Sequence, residues 1–357
     1  MWSLETLGWN EGFARAFEPF VREHVLPGRV ALEHKHIYGV FTERGELLSK
    51  VAGSLRHRAT TSVEYPAVGD WVALRVRPAE PRAAIIAVLP RRSRFSRKVA
   101  GDLTREQVVA ANIDTVFLTM GLDADFNLRR IERYLLTGWE SGAAPVVLLT
   151  KADLCDEQTV ADRVREVETV AAGAPVHATS APQGMGLDIV RSYLGPGRSV
   201  ALLGSSGVGK STLINRLVGH DVQRTAELAA DGKRGRHTTT HRELIVLPAG
   251  GLVIDTPGLR EIQLWDVGDS LGTAFPDIQS LAAGCHFSDC GHETEPRCAV
   301  RLAVAEGRLP ADRLESYVKL RHEAQDLTEK QDELALIEKN RKKPRTTHKA
   351  LRLMPRT

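Results

Sequence analysis

The sequence predicts a multidomain chain: an N-terminal β-barrel, then an α/β domain with a mainly parallel sheet, then a small α-helical domain. Three observations predict it. Short β-type segments punctuated by Gly and Pro fill the stretch from about residue 28 to 92, strands and helices alternate from about 105 to 268, and three of the four cysteines cluster near residue 290. At 357 residues the chain exceeds the roughly 100 to 200 residues that one hydrophobic core serves. The expected divisions are a helical extension over 1–27, the barrel over 28–92, the α/β domain over 105–268, a cysteine-bearing helical domain over 269–340 and a basic tail over 341–357.

In the extension, Phe13, Phe17 and Phe20 recur at helical spacing. Glu5, Glu11, Glu18 and Glu23 interrupt it, and no apolar stretch follows a basic start, so it does not read as a secretory signal. The barrel segments are "RVALEH", "IYGVFTE", "ELLSKVAG", "DWVALRV" and "AAIIAVLP". About five strands in about 60 residues suit a small closed barrel, and the OB-fold is one such barrel that binds oligonucleotides. The pattern alone does not separate it from other small barrels.

In the α/β domain, "IDTVFLTM" and "PVVLLT" are continuous apolar runs of buried-strand type. Leu128, Ile131, Leu135 and Trp139 mark a helix capped by Asn127, and Val160, Val164 and Val167 mark a second helix from about Asp156. Further strands are "PVHATSA", "SVALLG", "ELIVLP" and "GLVIDTPG". A polar helix, with Leu314, Tyr317 and Val318 as its apolar positions, is expected from about Ala311 to Lys339.

Composition narrows the class. With 42% hydrophobic and 26% charged residues, and no apolar run near the roughly 20 residues of a membrane span, the membrane class is set aside. Clustered cysteines do not resemble the disulfide framework of a secreted chain, and the expectation is a cytoplasmic protein. The net charge of +3 is unevenly placed: Arg91 to Lys98 ("RRSRFSRK") has five basic residues and Arg341 to Thr357 seven, with no acidic residue in either. Such clusters attract phosphate backbones, although each also reads as a solvated linker or tail.

The stretch "GSSGVGKST" fits G-x-x-x-x-G-K-[ST] between a strand and a helix. Its residues Gly204, Ser205, Ser206, Gly207, Val208, Gly209, Lys210, Ser211 and Thr212 read as a phosphate cradle. Backbone N–H groups hold the phosphates, Lys210 reaches the β- and γ-phosphates, and the Ser211 hydroxyl serves Mg2+. Downstream, "DTPG" places Asp255 at a strand end for the magnesium shell and Gly258 at the following turn for the γ-phosphate. Between them, "GRHTTTHREL" offers Thr238 or Thr239 as a switch threonine, and the sequence does not choose between the two.

The base-reading elements come earlier. "LLTKAD" supplies Thr150, Lys151 and Asp153 at one strand end, and "ATSAP" supplies Ser180 and Ala181 at another. A carboxylate accepts from guanine N1–H and its amino group, which adenine cannot match, and a lysine stem covers the base. An ATPase or kinase loop conflicts with "TKAD". The parts are those of a GTPase in rotated order, which compact domains tolerate because their termini often lie close together.

These motifs, with "PAVGDWV" (Pro66 to Val72), "AANID" (Ala110 to Asp114) and the cysteine cluster, resemble the circularly permuted, ribosome small subunit-dependent GTPases of the RsgA type. The resemblance covers about residues 28 to 300. It implies an OB-fold, a permuted P-loop GTPase domain and a C-terminal zinc-binding domain. It implies a structural Zn2+ on C-x4-C-x-H-x5-C, met here by Cys285, Cys290, His292 and Cys298. His286 is a neighbouring competitor, buried thiols beside an incidental histidine are the plain alternative, and Cys155 reads as a packed thiol.

The implied activity is GTP hydrolysis stimulated by the small (30S) subunit, as a late maturation checkpoint. The implied partners are that subunit with its 16S rRNA, GTP and GDP, with no membrane and the chain a monomer. Leu259 stands where Ras-like GTPases use glutamine to orient water. His237 is then the catalytic candidate, with a capping or packing role as its alternative. Leu259 also sustains a different reading, an RNA-binding regulator for which GTP is a ligand with little turnover.

Overall fold

The computed structural model describes residues 2–34, 36–77, 82–98, 106–219, 242–255 and 270–342. Helix α1 (Glu11–Phe17) starts where the Asn10 side chain accepts from the Gly12 and Phe13 N–H groups. It buries Phe13 and Phe17, and Trp9 meets Trp71 of the barrel edge-on at 4.7 Å. The N-terminal extension therefore packs on the barrel.

The barrel comprises β1 (Val25–His34), β2 (Ile37–Thr42), β3 (Gly45–Val51), a short α2 (Gly53–Arg58), β4 (Trp71–Val76) and β5 (Arg82–Val88). The five strands fall on the five expected segments. Their order is β1-β2-β3-β5-β4, with β4 closing back on β1, and only the β3–β5 pair is parallel. Closure removes the free edges of a small sheet, and this is the five-stranded barrel of OB type. Val30, Tyr38, Val40, Val72, Leu74 and Ile85 fill it.

The basic segment after the barrel is not a solvated linker. Arg94–Lys98 forms β6, antiparallel to β7 (Glu106–Ala111), with Phe95 buried. Its charges are largely engaged at home: Arg91 binds the fully buried Asp70 at 2.7 and 2.8 Å, Arg92 pairs with Asp114 at 3.2 Å, and Arg94 with Glu106 at 3.6 Å.

The α/β unit runs β8 (Thr115–Gly121), α3 (Leu128–Ser141), β9 (Ala144–Thr150), α4 (Glu157–Glu168), β10 (Val176–Ala178), α5 (Leu187–Ser192), β11 (Ser199–Leu203), α6 (Lys210–Val218), β12 (Arg242–Val246) and β13 (Leu252–Asp255). Asn127 and Asp156 cap α3 and α4 through their side chains. The sheet order is β10-β9-β8-β11-β13-β12, parallel except for β12. Strand β1 of the barrel then pairs antiparallel with β12, Leu32 opposite Glu243, so barrel and α/β unit share one eleven-stranded sheet. The "PAVGDWV" turn seals the joint: Gly69 has φ +90°, and a Cβ on it would lie 2.1 Å from the Ala111 carbonyl oxygen.

The C-terminal unit holds α7 (Ser270–Ala274), α8 (Pro276–Ala282), α9 (Ala299–Ala305) and α10 (Ala311–Lys342). Phe275, Ile278, Val300, Leu309 and Leu320 form its core, and Leu136 of α3 is buried in the same cluster. No helix of the described residues is long and apolar enough to cross a membrane.

Candidate active site

Strand β11 ends at Leu203, and the chain turns through Gly204–Gly209 into α6, which begins at Lys210. Gly207 and Gly209 take φ of +83° and +96°, values that L side chains rarely adopt. Gly204 is required by closeness instead: a Cβ would lie 2.2 Å from Thr119 Oγ1 on the adjacent strand β8. The Thr119 hydroxyl donates to Leu203 O at 2.8 Å and holds that approach. Lys210 Nζ donates to Gly204 O at 2.7 Å and Ser205 O at 2.6 Å, arching the loop over the helix N-terminus. Val208 is buried beneath the loop, Ser206 and Gly207 are exposed on top, and Ser211 and Thr212 sit part-exposed in the first helical turn. The first N–H groups of a helix have no carbonyl partner within it, and these, with the helix dipole and Lys210, suit a polyphosphate.

The base side lies at the ends of β9 and β10. The buried Thr150 hydroxyl reaches Val208 O of the phosphate loop and Met120 O, the latter at 3.2 Å. Lys151 takes a left-handed backbone, φ 61° and ψ 33°, and its ammonium lies 2.6 Å from Asp123 Oδ2. That hydrogen bond holds the Asp123 carboxyl below the usual range and fixes the lysine stem. Asp153 follows in a short 3-10 turn, and its Oδ1 is buried with no hydrogen-bond partner among the described residues. A buried acceptor left unmatched costs about 1–3 kcal/mol, which two guanine donors would remove. Ser180 is fully buried, its N–H donating to Met185 O at 3.0 Å, while Ala152 N donates to Thr179 O at 3.1 Å and ties the two base loops together. Ala181 packs on the apolar cluster beneath α6.

Asp255 closes β13, so the phosphate loop, Thr150–Asp153, Ser180–Ala181 and Asp255 all lie at the carboxyl ends of neighbouring parallel strands. In open α/β sheets this is where ligands bind. His237, Thr238, Thr239, Gly258 and Leu259 lie outside the described residues. Three further side chains adjoin the site without having been singled out in the sequence. Asp123 holds Lys151, while Arg130 Nη1 donates to Ser205 Oγ at 3.1 Å and Tyr134 OH lies 3.3 Å from the same oxygen. Arg130 and Tyr134 stand one helical turn apart, off the apolar stripe of α3; the spacing was legible, but not what that face meets.

In the C-terminal unit, Cys285, Cys290, His292 and Cys298 bring their ligand atoms within 4.8 Å of one another. Cys285 Sγ lies 3.6 Å from His292 Nδ1 and 3.9 Å from Cys298 Sγ, and Cys298 Sγ lies 3.4 Å from His292 Nδ1. A tetrahedron with Zn–S of about 2.3 Å and Zn–N of about 2.0 Å requires S···S near ~3.8 Å and S···N near ~3.5 Å. The donor set fits a metal ion such as zinc. Burial lowers the His292 pKa, which favours the neutral, ligating imidazole. His286 is not among the four; its ring meets Phe287 edge-on at 4.8 Å. Hydrogen bonds from its own backbone N–H and those of Gly291, Glu293 and Thr294 pull the Glu295 carboxyl down to about 2, fixing the loop between the ligands. Cys155 packs against the main core, its thiol donating to Leu122 O at 3.1 Å.

Comparison with known proteins identifies GTPases as the relatives of this chain. A family model described as RsgA GTPase matches residues 88–265, and one described as 50S ribosome-binding GTPase matches residues 199–345. The small ribosomal subunit biogenesis GTPase RsgA of Opitutus terrae is 52% identical over 330 residues, covering 90% of this chain and 89% of that one. The protein of the same name from Syntrophotalea carbinolica is 44% identical over 349 residues, covering 96% and 95%. Among solved structures, YjeQ from Thermotoga maritima matches with a TM-score of 0.62 at 30% identity, over 84% of this chain and 99% of that one.

Proposed function

The chain belongs to the RsgA GTPase family and is a GTP hydrolase, and from that premise we propose that it acts on the small ribosomal subunit during its biogenesis. In this reading the protein works in the cytoplasm as a late maturation checkpoint, gripping the subunit in the GTP state and leaving it after hydrolysis. Binding and release of this kind require different affinities in the two nucleotide states, which an ordering switch supplies.

The observation that carries the nucleotide assignment is Asp153, which has a buried carboxylate oxygen unmatched among the described residues in the turn after β9; in this reading its carboxylate takes the N1–H and amino donors of guanine. Lys151 covers the base, Ser180 and Ala181 close the pocket, and Thr150 keeps the base loop in step with Val208. Residues Gly204 to Thr212 hold the phosphates, with Lys210 on the β- and γ-groups. Ser211, Asp255 and one of Thr238 or Thr239 hold Mg2+, which neutralises charge developing on the phosphates when bound. Gly258 senses the γ-phosphate. With Leu259 unable to orient water, His237 takes that role: water attacks the γ-phosphorus, the bond to the GDP oxygen breaks, and phosphate leaves. Cys285, Cys290, His292 and Cys298 hold a structural Zn2+; a four-protein-ligand site leaves no position for substrate.

GTP turnover measured with and without purified small subunits, together with co-sedimentation in GTP-analogue and GDP states, tests this reading. Stimulated turnover and analogue-dependent binding are expected. Turnover that stays slow at every subunit concentration, with binding intact, would favour the RNA-binding regulator. Full stimulated turnover in His237→Ala would remove the catalytic assignment of that residue alone.

A further inference from the structure

Helix α3 presents three faces, and each meets a different part of the molecule. Ile131 and Leu135 pack into the core of the α/β sheet. On one flank of that stripe, Arg130 and Tyr134 reach the Ser205 hydroxyl of the phosphate loop at 3.1 and 3.3 Å. Asp125 holds the Arg130 guanidinium from behind at 2.7 Å. On the opposite flank, Leu136 is buried in the core of the C-terminal unit with Phe275 and Ile278. Beside it Glu132, 1% exposed, accepts from Arg313 of α10 at 2.6 Å and from Arg129. Arg129 and Arg133 extend this flank to Asp312 at 3.1 Å and Glu323 at 2.7 Å.

We infer that Arg130 and Tyr134 are positioning residues for the phosphate loop, and that α3 transmits the placement of the C-terminal unit to Ser205, so that shifting that unit changes the loop's relative hold on GDP and GTP. A packed helix moves as a body, and displacements of 1 to 2 Å are typical of helices at interfaces. A hydrogen bond of 3.1 Å does not survive such a shift, so Ser205 has two states, held and released. Glu132 adds a reason for the joint to move: its second carboxylate oxygen is buried without a hydrogen-bond partner among the described residues, so the network they form is not fully satisfied. The inference rests on the proposed function in one respect, that the small subunit is the partner whose contact moves the C-terminal unit.

The test uses the full chain without subunits. Affinities for a fluorescent GDP and a fluorescent non-hydrolysable GTP analogue are measured for wild type, Arg130→Ala, Arg130→Lys, Glu132→Gln and the Arg130→Ala/Glu132→Gln double variant. Arg130→Ala is expected to change the ratio of the two affinities about fivefold or more, within the usual range of coupling between sites, and Arg130→Lys to restore part of it. Glu132→Gln, on the far flank of the helix, is expected to move the same ratio, and the double variant to fall short of the product of the two effects. A ratio unchanged in Arg130→Ala overturns the positioning role. A ratio moved by Arg130→Ala but unmoved by Glu132→Gln overturns the transmission. If Glu132→Gln does not fold, Arg133→Ala at the exposed pair gives the same reading, with a smaller shift expected and no shift overturning the transmission. Because no measurement involves the subunit, failure of subunit stimulation would count against the proposed function and not against this coupling.

Discussion

On its barrel side the α/β unit is held by a strand ladder and a buried arginine bound to backbone carbonyls, and on its C-terminal side by side chains of one helix. Strand β1 continues the sheet from β12, Gly69 brings the barrel turn against the Ala111 carbonyl, and the fully buried Arg29 donates to the carbonyls of Gly69, Asn112 and Leu7. Across the molecule, the α3 joint rests on Leu136 and three ion pairs, Glu132–Arg313, Arg129–Asp312 and Arg133–Glu323, the last two partly exposed. A strand ladder has one register, because a one-residue slip turns every side chain to the wrong face. Ion pairs on long side chains re-form in several geometries and are individually worth about 0–1 kcal/mol when exposed. The barrel joint is thus a fixed frame; at the C-terminal joint the two partly exposed pairs can shift at low cost around the buried Glu132–Arg313 pair. The nucleotide residues lie between them.

The strongest way to break this contrast is to remove the metal proposed for Cys285, Cys290, His292 and Cys298. Chelation, or Cys290→Ser, should unfold the C-terminal unit, since structural zinc contributes roughly 10 kcal/mol or more to small folds. Hydrogen exchange should then lose protection over 270–342 while 25–98 stays protected, and GTP binding should persist. Loss of protection in the barrel as well would show the two joints to be one cooperative unit. Next in size is Arg29→Met. It leaves the Leu7 carbonyl without its donor and removes one of two donors from the carbonyls of Gly69 and Asn112, and a loss of about 1.5–3 kcal/mol is expected. A denaturation midpoint within about 1 kcal/mol of wild type would mean that the barrel joint does not depend on its buried arginine. The smallest effect is expected from Arg133→Ala, whose pair with Glu323 is 36% and 34% exposed. It should cost less than about 1 kcal/mol at low salt and still less at high salt. A larger, salt-independent loss would place that pair with the fixed contacts.

How much of this was legible followed from how local each feature is. The phosphate loop was read from a nine-residue stretch because its glycines, lysine and hydroxyls are demanded by neighbours along the chain. The cap at Asn127 was read for the same reason, since a cap bonds within three residues. The five barrel strands and a closed barrel were visible in the patterning, but the parallel pairing of β3 with β5 was not, because it depends on which strand meets which. The basic segment misled. Arg91 looked like a free charge, yet its carboxylate partner Asp70 stands 21 positions earlier, across a joint the sequence does not display.

By itself, then, the sequence determined the barrel strands, the strands and two main helices of the α/β unit, the long C-terminal helix and the nucleotide motifs in their rotated order. Short-range sterics and local hydrogen bonding fix those features within a few residues. The tertiary structure alone decided the partners: Arg130 with Ser205, 75 positions away, and Arg313 with Glu132, 181 positions away. Such pairs form only when packing of the whole core has offset the loss of chain entropy needed to bring them together, and no local pattern records that outcome.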